Sequence, residues 1–305
     1  MKILIATEKP FAAAAIDGMR SIVESAGCEL ALLEKYTDKA QLCAAVADAD
    51  GLIVRSDKVT AEVVAHAPKL KVVVRAGAGY DNIDLAACSA QNIVAMNTPG
   101  QNSNAVAELA LGLMIYMARN NFNPGTGVEL KGKTLGIQAY GNVGRLVARL
   151  AQGFGMNVLA FDPFVPAEKM VAEGVTPVDA LAELYKRSDY VSLHIPANDQ
   201  TRKSVNYSLM SLMPKGACLV NTARKEVIDE ADLATVLAER PDFKYVADVA
   251  PDSFAALREQ FGTRVFATPK KMGAETAEAN VNAGLAAARQ AVGYLNDGVD
   301  RFRVN

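Results

Sequence analysis

The sequence predicts an α/β chain made of two doubly wound parallel-sheet domains. Residues 1–100 alternate short apolar runs with helical segments. Leu130 to Pro163 reads as strand, tight turn, helix, strand and acidic residue. The same alternation then resumes toward the carboxyl end. A length of 305 residues suffices for two domains of ordinary size, and 50% hydrophobic residues suffice for two large cores.

In the first part, Lys2–Ala6, Glu29–Leu33, Gly51–Arg55, Lys71–Arg75 and Asn92–Met96 read as strands. Between them lie helical segments near Ala13–Ala26, Lys39–Ala47, Ala61–Ala67 and Leu85–Gln91. Strictly alternating elements imply a parallel sheet wrapped by helices, and ligands of such sheets gather at the carboxyl ends of the strands. Two of these ends are polar: Arg55-Ser56-Asp57, and the glycine-rich Arg75-Ala76-Gly77-Ala78-Gly79-Tyr80-Asp81-Asn82, whose backbone N–H groups could form an anion nest.

Asn97-Thr98-Pro99-Gly100-Gln101-Asn102 breaks the pattern and reads as a linker. A long helix from Ser103 to about Arg119 follows, capped by Ser103 or Asn104. Leu109, Leu111, Met114, Tyr116 and Met117 make it apolar nearly all round, so burial between domains or subunits is expected.

The stretch LKGKTLGIQAYGNVGRLVARLAQGFGMNVLAFDP is one βαβ unit of a dinucleotide-binding fold. Thr134–Tyr140 is its first strand, Asn142–Phe154 its helix and Asn157–Phe161 its second strand. Gly141 would let backbone approach a pyrophosphate at the helix N-terminus, and Gly144 would let helix and strand pack closely. Ala139 occupies the place of the first fingerprint glycine. Asp162 follows the glycines by roughly 20 residues, where a carboxylate accepts ribose hydroxyls and repels a 2′-phosphate. NAD is therefore expected over NADP.

Beyond it, Asp189–Ile195 reads as a strand ending in His194-Ile195-Pro196, and Ala217–Asn221 as one ending in Thr222-Ala223-Arg224. Glu230–Glu239 reads as a helix, Lys244–Asp248 as a strand, and Arg264–Ala267 as a short strand before Thr268-Pro269-Lys270-Lys271. The chain closes with an alanine-rich helix near Thr276–Asn296 and the basic tail Arg301-Phe302-Arg303. A last helix this long could cross back to the first domain. The expected division is 1–99 plus 284–305, and 100–283.

A net charge of −2 gives no reason to expect nucleic acid or an anionic membrane as partner. Cys28, Cys43, Cys88 and Cys218 are scattered without a C-x-x-C pair, which suggests reduced, buried thiols, a cytoplasmic setting and no metal site. The apolar run after Met1 is too short for a signal peptide, and no run approaches a membrane span.

With RAGAGYDNIDL, NTPGQNSNAVAELALGLM, the βαβ unit, YVSLHIPANDQTR, MPKGACLVNTARKEVIDEADL and TPKKMGAETAEAN in this order, the chain resembles the D-isomer-specific 2-hydroxyacid dehydrogenases over nearly its whole length, closest to their 3-phosphoglycerate dehydrogenase branch. The resemblance implies a Rossmann-type NAD domain, a flavodoxin-like substrate domain, an active site between them and a homodimer. It implies that Arg224 holds the substrate carboxylate and polarises the C2 oxygen. It places Tyr140, Gly141, Asn142, Val143, Asp162, His194, Ile195, Pro196, Thr201, Thr222, Ala223 and Asp248 around the cofactor. Arg55, Ser56, Arg75, Ala76, Gly77, Ala78 and Asn102 fall around the substrate. The family's proton-transferring histidine is absent. Counting from Thr-Pro selects Lys270, and counting back from Ala277-Glu278-Ala279 selects Lys271. An ammonium beside Arg224 would feel repulsion and partial burial, both lowering its pKa. The family's partner glutamate is also missing: its slot holds Ser253, and Asp252 is the nearest carboxylate to pair with a lysine.

These readings imply NAD-dependent oxidation of 3-phosphoglycerate to 3-phosphohydroxypyruvate, the start of serine synthesis. One alternative is a glyoxylate or hydroxypyruvate reductase, against which Arg55 argues, because an uncharged substrate tail needs no such group. Another is a non-catalytic NAD-sensing regulator, favoured by the missing histidine and glutamate and disfavoured by Arg224.

Overall fold

The computed structural model describes residues 1–305. The chain folds into two compact units, Met1–Asn102 with Glu275–Asn305, and Ser103–Ala274.

The first unit comprises β1 (Lys2–Thr7), α1 (Ala13–Ser25), β2 (Glu29–Glu34), α2 (Lys39–Val46), β3 (Gly51–Val54), α3 (Ala61–Ala65), β4 (Val72–Arg75), α4 (Leu85–Ala90) and β5 (Val94–Asn97). Its five strands are all parallel, in the order β2-β1-β3-β4-β5. This is the flavodoxin-like order, whose topological switch point lies between β1 and β3. Every residue of β3 and of β5 is buried, as expected of strands covered on both faces.

The second unit contains α5 (Ser103–Ala118), β6 (Thr134–Gln138), α6 (Asn142–Gly153), β7 (Asn157–Phe161), α7 (Ala167–Ala172), β8 (Thr176–Pro177), α8 (Leu181–Arg187) and β9 (Tyr190–Leu193). It continues with α9 (Tyr207–Met210), β10 (Cys218–Asn221), α10 (Glu230–Glu239), β11 (Lys244–Ala247), α11 (Phe254–Phe261) and β12 (Val265–Ala267). Seven parallel strands run in the order β12-β11-β10-β9-β6-β7-β8. This is the Rossmann order with one further strand, and it reverses between β6 and β9.

The last helix, α12 (Ala277–Asp297), is capped by the Thr276 hydroxyl, which accepts from Ala279 N. The chain returns to the first unit at Glu275 rather than at 284. The reason is packing along the whole helix. Ala279, Ala283, Ala287, Ala288 and Ala291 are buried, and Gly284 lies so close to α1 that a Cβ there would stand 3.1 Å from Met19 Sδ. The other boundary lies at Asn102 instead of 99, since Ser103 already begins α5.

Two further expectations change. Ser103 and Asn104 sit within α5 instead of capping it, and the Asn104 amide donates to Glu108. The apolar flank of α5 is buried within its own unit, among Leu135, Ile137, Val147 and Val220. The basic tail is structured too. Val304 N donates to Ala95 O and Asn305 Oδ1 accepts from Ala95 N, so the tail covers the edge of β5. No helix is long and apolar enough to cross a membrane.

Candidate active site

The turn after β6 requires a left-handed residue, and Ala139 supplies it at φ 78°. For a residue with a Cβ this costs about 1–2 kcal/mol, which is why glycine usually stands there. The position is held by the Ala139 N–H donating to Phe161 O at 2.9 Å. Gly144 is required by contact: a Cβ would lie 2.2 Å from Ala139 O. Gly141 precedes α6 and is different, since a Cβ there would meet nothing within 4 Å. The helix N-terminus, with Asn142 and Val143 in its first turn, therefore opens onto a space that a phosphate could enter.

Asp162, at the end of β7, accepts from Tyr140 N and from Phe164 N, both at 2.8 Å. These amides aim the carboxylate beside the turn. The Cβ-free space at Gly141, the N-terminus of α6 and this carboxylate fit the pyrophosphate and ribose of NAD. Tyr140 contributes only main chain. Its ring is 1% exposed and its hydroxyl donates to Glu173, which also pairs with Arg145. A cofactor contact through the Tyr140 side chain is therefore excluded. Burial pushes its phenol pKa up, so the hydroxyl stays a donor.

His194 follows β9, its N–H donating to Gln138 O at 3.0 Å and its Nε2 lying 2.9 Å from Ser192 Oγ. The residue is half-buried, and burial pushes its pKa down to about 3. It is neutral near pH 7 and can donate or accept one hydrogen bond without carrying charge. The Ile195-Pro196 segment is held by Thr201, whose hydroxyl donates to Pro196 O at 2.5 Å, while Asn198 Oδ1 accepts from Gln200 N and Thr201 N. Thr201 thus braces the loop.

At the end of β10, buried Asn221 shapes the Thr222-Ala223-Arg224 turn. Its Oδ1 accepts from Ala223 N at 3.0 Å and its Nδ2 donates to Arg224 O at 2.9 Å. Thr222 Oγ1 is buried without a hydrogen-bond partner. An orphaned hydroxyl here is one that a bound ligand would satisfy. Arg224 is half-buried and donates only to its neighbour's carbonyl, Ala223 O, at 2.9 Å. No carboxylate pairs with it.

Asp248 ends β11 and is 1% exposed. Its Oδ1 accepts from Met272 N at 2.7 Å, its Oδ2 accepts from Gly273 N at 2.9 Å, and the Thr268 hydroxyl lies 3.0 Å from Oδ1. A Cβ on Gly273 would stand 2.9 Å from Asp248 Oδ2. Asp248 clamps residues 268–273, because parallel pairing of β11 with β12 brings that loop onto the buried acid. Lys270 and Lys271 are exposed on the clamped loop.

Asp252 pairs with Lys225, and its side chain is 80% exposed. Its turn is organised by Glu230, which accepts from Asp252 N at 2.9 Å, Ser253 N at 2.8 Å and Ser253 Oγ at 2.6 Å. Sequence reasoning passed over Glu230 and Asn221. The Asp229-Glu230 pair opening α10 was a signal for the first.

In the first unit, Arg55 leaves β3 at the switch point. Its guanidinium stacks 5.1 Å from the Phe11 ring centroid, donates to Lys9 O and Pro10 O at 3.2 Å each, and to Asn280 Oδ1 at 2.5 Å. Asp57 is buried and accepts from Glu8 N at 2.7 Å, Tyr36 OH at 2.9 Å and Arg55 N at 3.2 Å. Ser56 is exposed between them. Arg75 Nε donates to Arg55 O at 3.1 Å. Gly77, at φ 153°, leaves room for the Arg75 guanidinium, whose Nη1 lies 1.4 Å from where a Cβ would stand. In the Arg75–Asn82 turn, where an anion nest is expected, Ala76 N donates to Val54 O and Gly77 N to Arg75 O, so these two amides are engaged within the chain. Asn102 lies in the turn before α5.

Two outcomes follow from this geometry. His194 resists protonation in the fold but not in the unfolded chain, where its value is about 6.5. The unfolded state therefore binds more protons below that value, and stability falls as pH drops from about 6.5 toward 3, by up to about 1.4 kcal/mol per pH unit. Urea unfolding at pH 7 and pH 5 should show this loss, and His194→Gln should reduce it. An equal pH dependence in both proteins refutes the assignment. Asp162→Ala should weaken NAD binding about tenfold or more, by loss of charge-assisted hydrogen bonds, while NADP gains relative to NAD. Calorimetric titration of both cofactors checks the direction.

Residues 111–271 match the family model described as "D-isomer specific 2-hydroxyacid dehydrogenase, NAD binding domain". A protein named D-3-phosphoglycerate dehydrogenase from Methanocaldococcus jannaschii is 42% identical over 215 residues, 66% of this chain and 41% of that protein. One named hydroxypyruvate reductase from Thermotoga maritima is 36% identical over 275 residues, 84% of this chain and 88% of that protein. The solved structure of NAD+-bound 3-phosphoglycerate dehydrogenase from Entamoeba histolytica is 47% identical, with a TM-score of 0.88 over 100% of this chain and 98% of that one. The chain spans less than half the length of several curated relatives it matches, 44% of the Arabidopsis thaliana protein and 49% of the Mycobacterium tuberculosis one among them. The matched domain, the two parallel sheets and the dinucleotide turn together place this chain among the D-isomer specific 2-hydroxyacid dehydrogenases.

Proposed function

We propose that this protein oxidises 3-phosphoglycerate to 3-phosphohydroxypyruvate with NAD, the reaction that starts serine synthesis. The observation that carries this reading is Arg224, a half-buried guanidinium at a strand end with no carboxylate partner. Such a group is poised for a ligand's carboxylate, and its planar fork can also hold the C2 oxygen of a 2-hydroxy acid. When bound, NAD supplies the acceptor for the hydride that leaves C2. Gly141, Asn142 and Val143 would hold its pyrophosphate, Asp162 its ribose, and Thr222 and neutral His194 its remaining polar edge.

The proton of the C2 hydroxyl goes to Lys270 or Lys271, whose loop the buried Asp248 fixes. A lysine accepts only when neutral, so oxidation should rise into the alkaline range, where a histidine enzyme would already have levelled. Arg224 meanwhile stabilises negative charge on the C2 oxygen. Arg55 binds the substrate phosphate, pre-oriented by Phe11 and the Lys9 and Pro10 carbonyls, with Ser56 and the Ala78 amide beside it. The implied homodimer belongs to this reading, and sedimentation tests it.

Reduction of hydroxypyruvate without a phosphate is the second reading. It is favoured by the Thermotoga maritima relative, 88% of which the match covers. Turnover with NADH distinguishes them: the first reading requires 3-phosphohydroxypyruvate to be the far better substrate. No turnover of either compound would favour a non-catalytic role.

Arg55→Ala should raise KM for 3-phosphohydroxypyruvate about tenfold or more and leave that for hydroxypyruvate nearly unchanged. An equal loss for both would show that Arg55 serves the fold or the carboxylate. Of Lys270→Met and Lys271→Met, the one that removes the proton carrier should lower turnover roughly 10²–10⁴-fold with NAD binding intact. Near-normal turnover in both would assign the proton to another group.

A further inference from the structure

The second unit has a cavity that the proposed reaction does not use. It lies where β11 and β12 begin, and its volume is about 250 Å³. Lys244, Arg264, Thr263, Asn120, Asn121 and Asn123 line it, and no carboxylate does. The groups assigned to cofactor and proton transfer stand at the other ends of these strands. β11 runs from Lys244 to Ala247, so the cavity is set back from Asp248 by about 13 Å.

Both cations are half-buried, and neither forms an ion pair. The Lys244 ammonium donates to Met117 O at 3.3 Å, one carbonyl for a group with three protons. Arg264 directs Nη1 at Leu237 O and Arg240 O, both at 2.9 Å, and rests over the Phe261 ring. Two partly desolvated cationic residues lining one polar cavity favour an anion there, since buried charge is costly without a counter-charge.

The wall facing them has an unusual backbone. Asn120, Asn121 and Phe122 take φ values of 54°, 58° and 58° in succession. Left-handed residues with a Cβ cost of the order of 1 kcal/mol each and persist where the surroundings impose them, often at binding sites. Here the Asn121 amide donates to Thr263 O and the Asn120 amide to Thr126 O, both at 2.9 Å. Three asparagine side chains thus line the cavity with the two cations, and each amide nitrogen has at least one proton beyond these bonds.

We propose that this cavity binds a small anion, a phosphate or a carboxylate, at a site separate from cofactor and substrate. The volume is below the 300–1,000 Å³ usual for drug-sized ligands, which suits an inorganic ion or a small acid. Lys244 is the principal charge and Asn123 closes the rim. The inference does not rest on the proposed reaction.

The test is calorimetric titration of inorganic phosphate into the full chain saturated with NADH, so that the pyrophosphate cradle is filled. Binding should be seen, should survive Arg55→Ala, and should weaken about tenfold or more in Lys244→Met, by loss of a hydrogen bond to a charged group. Lys244→Arg, which keeps the charge, should retain it. Should the methionine variant not fold, Asn123→Leu, at an exposed position, should block the cavity with the same loss. Acetate in a parallel titration distinguishes the ligand: heat with both ions assigns a general anion site, and heat with phosphate alone assigns a phosphate site. No binding to the unmutated protein, equal binding in Lys244→Met or Asn123→Leu, or loss in Arg55→Ala overturns the proposal.

Discussion

Parallel strand pairing is the constraint on which the rest depends. When all strands of a sheet point one way, their carboxyl ends share an edge, and whatever follows each strand is delivered there. In the second unit this edge collects the Ala139–Gly144 turn, Asp162, His194, Arg224 and the loop carrying Lys270 and Lys271. In the first it collects Arg55, Arg75 and the segment from Glu8 to Phe11. No strand contributes more than a few functional atoms. The site is therefore only as accurate as the packing that holds the strands in register.

That packing is enforced by buried and half-buried acids and close backbone approaches more than by the site residues themselves. Asp248 clamps the lysine loop, Asp57 ties the ends of β1 and β3 to Tyr36, and Glu230 ties the turn after β11 to α10. Each accepts at least three hydrogen bonds, which offsets the cost of removing a carboxylate from water. Ala139 shows the reverse balance. Its left-handed conformation is unfavourable for alanine, yet β6 and α6 leave no other path, because Gly144 brings the helix against the Ala139 carbonyl.

Charge is distributed to match. Lys2, Arg145, Lys225 and Arg240 are among the basic side chains that pair with acids, but Arg224, Lys244 and Arg264 do not. Half-buried cations left without a counter-ion raise the local potential and favour anionic ligands. The first stands at the carboxyl edge of the NAD-binding sheet and the other two at its amino edge, so this one sheet presents positive charge at both ends.

The sequence by itself determined the alternation of elements, the two sheets, the dinucleotide turn and the positions of Arg224, Asp162 and Arg55. Those features are local: apolar periodicity, glycine spacing and the polar residue after each strand are all written within a few residues. Tertiary structure alone decided the partners. Asp252 meets Lys225, Asp248 clamps its own loop, and Tyr140 buries its ring while its amide donates to Asp162. Partner choice depends on distances between segments far apart in the chain, which residue type and spacing do not encode. For the same reason the cavity between Lys244 and Asn120–Asn123 was invisible: its walls come from three separate stretches, joined only when β11, β12 and the end of α5 pack together.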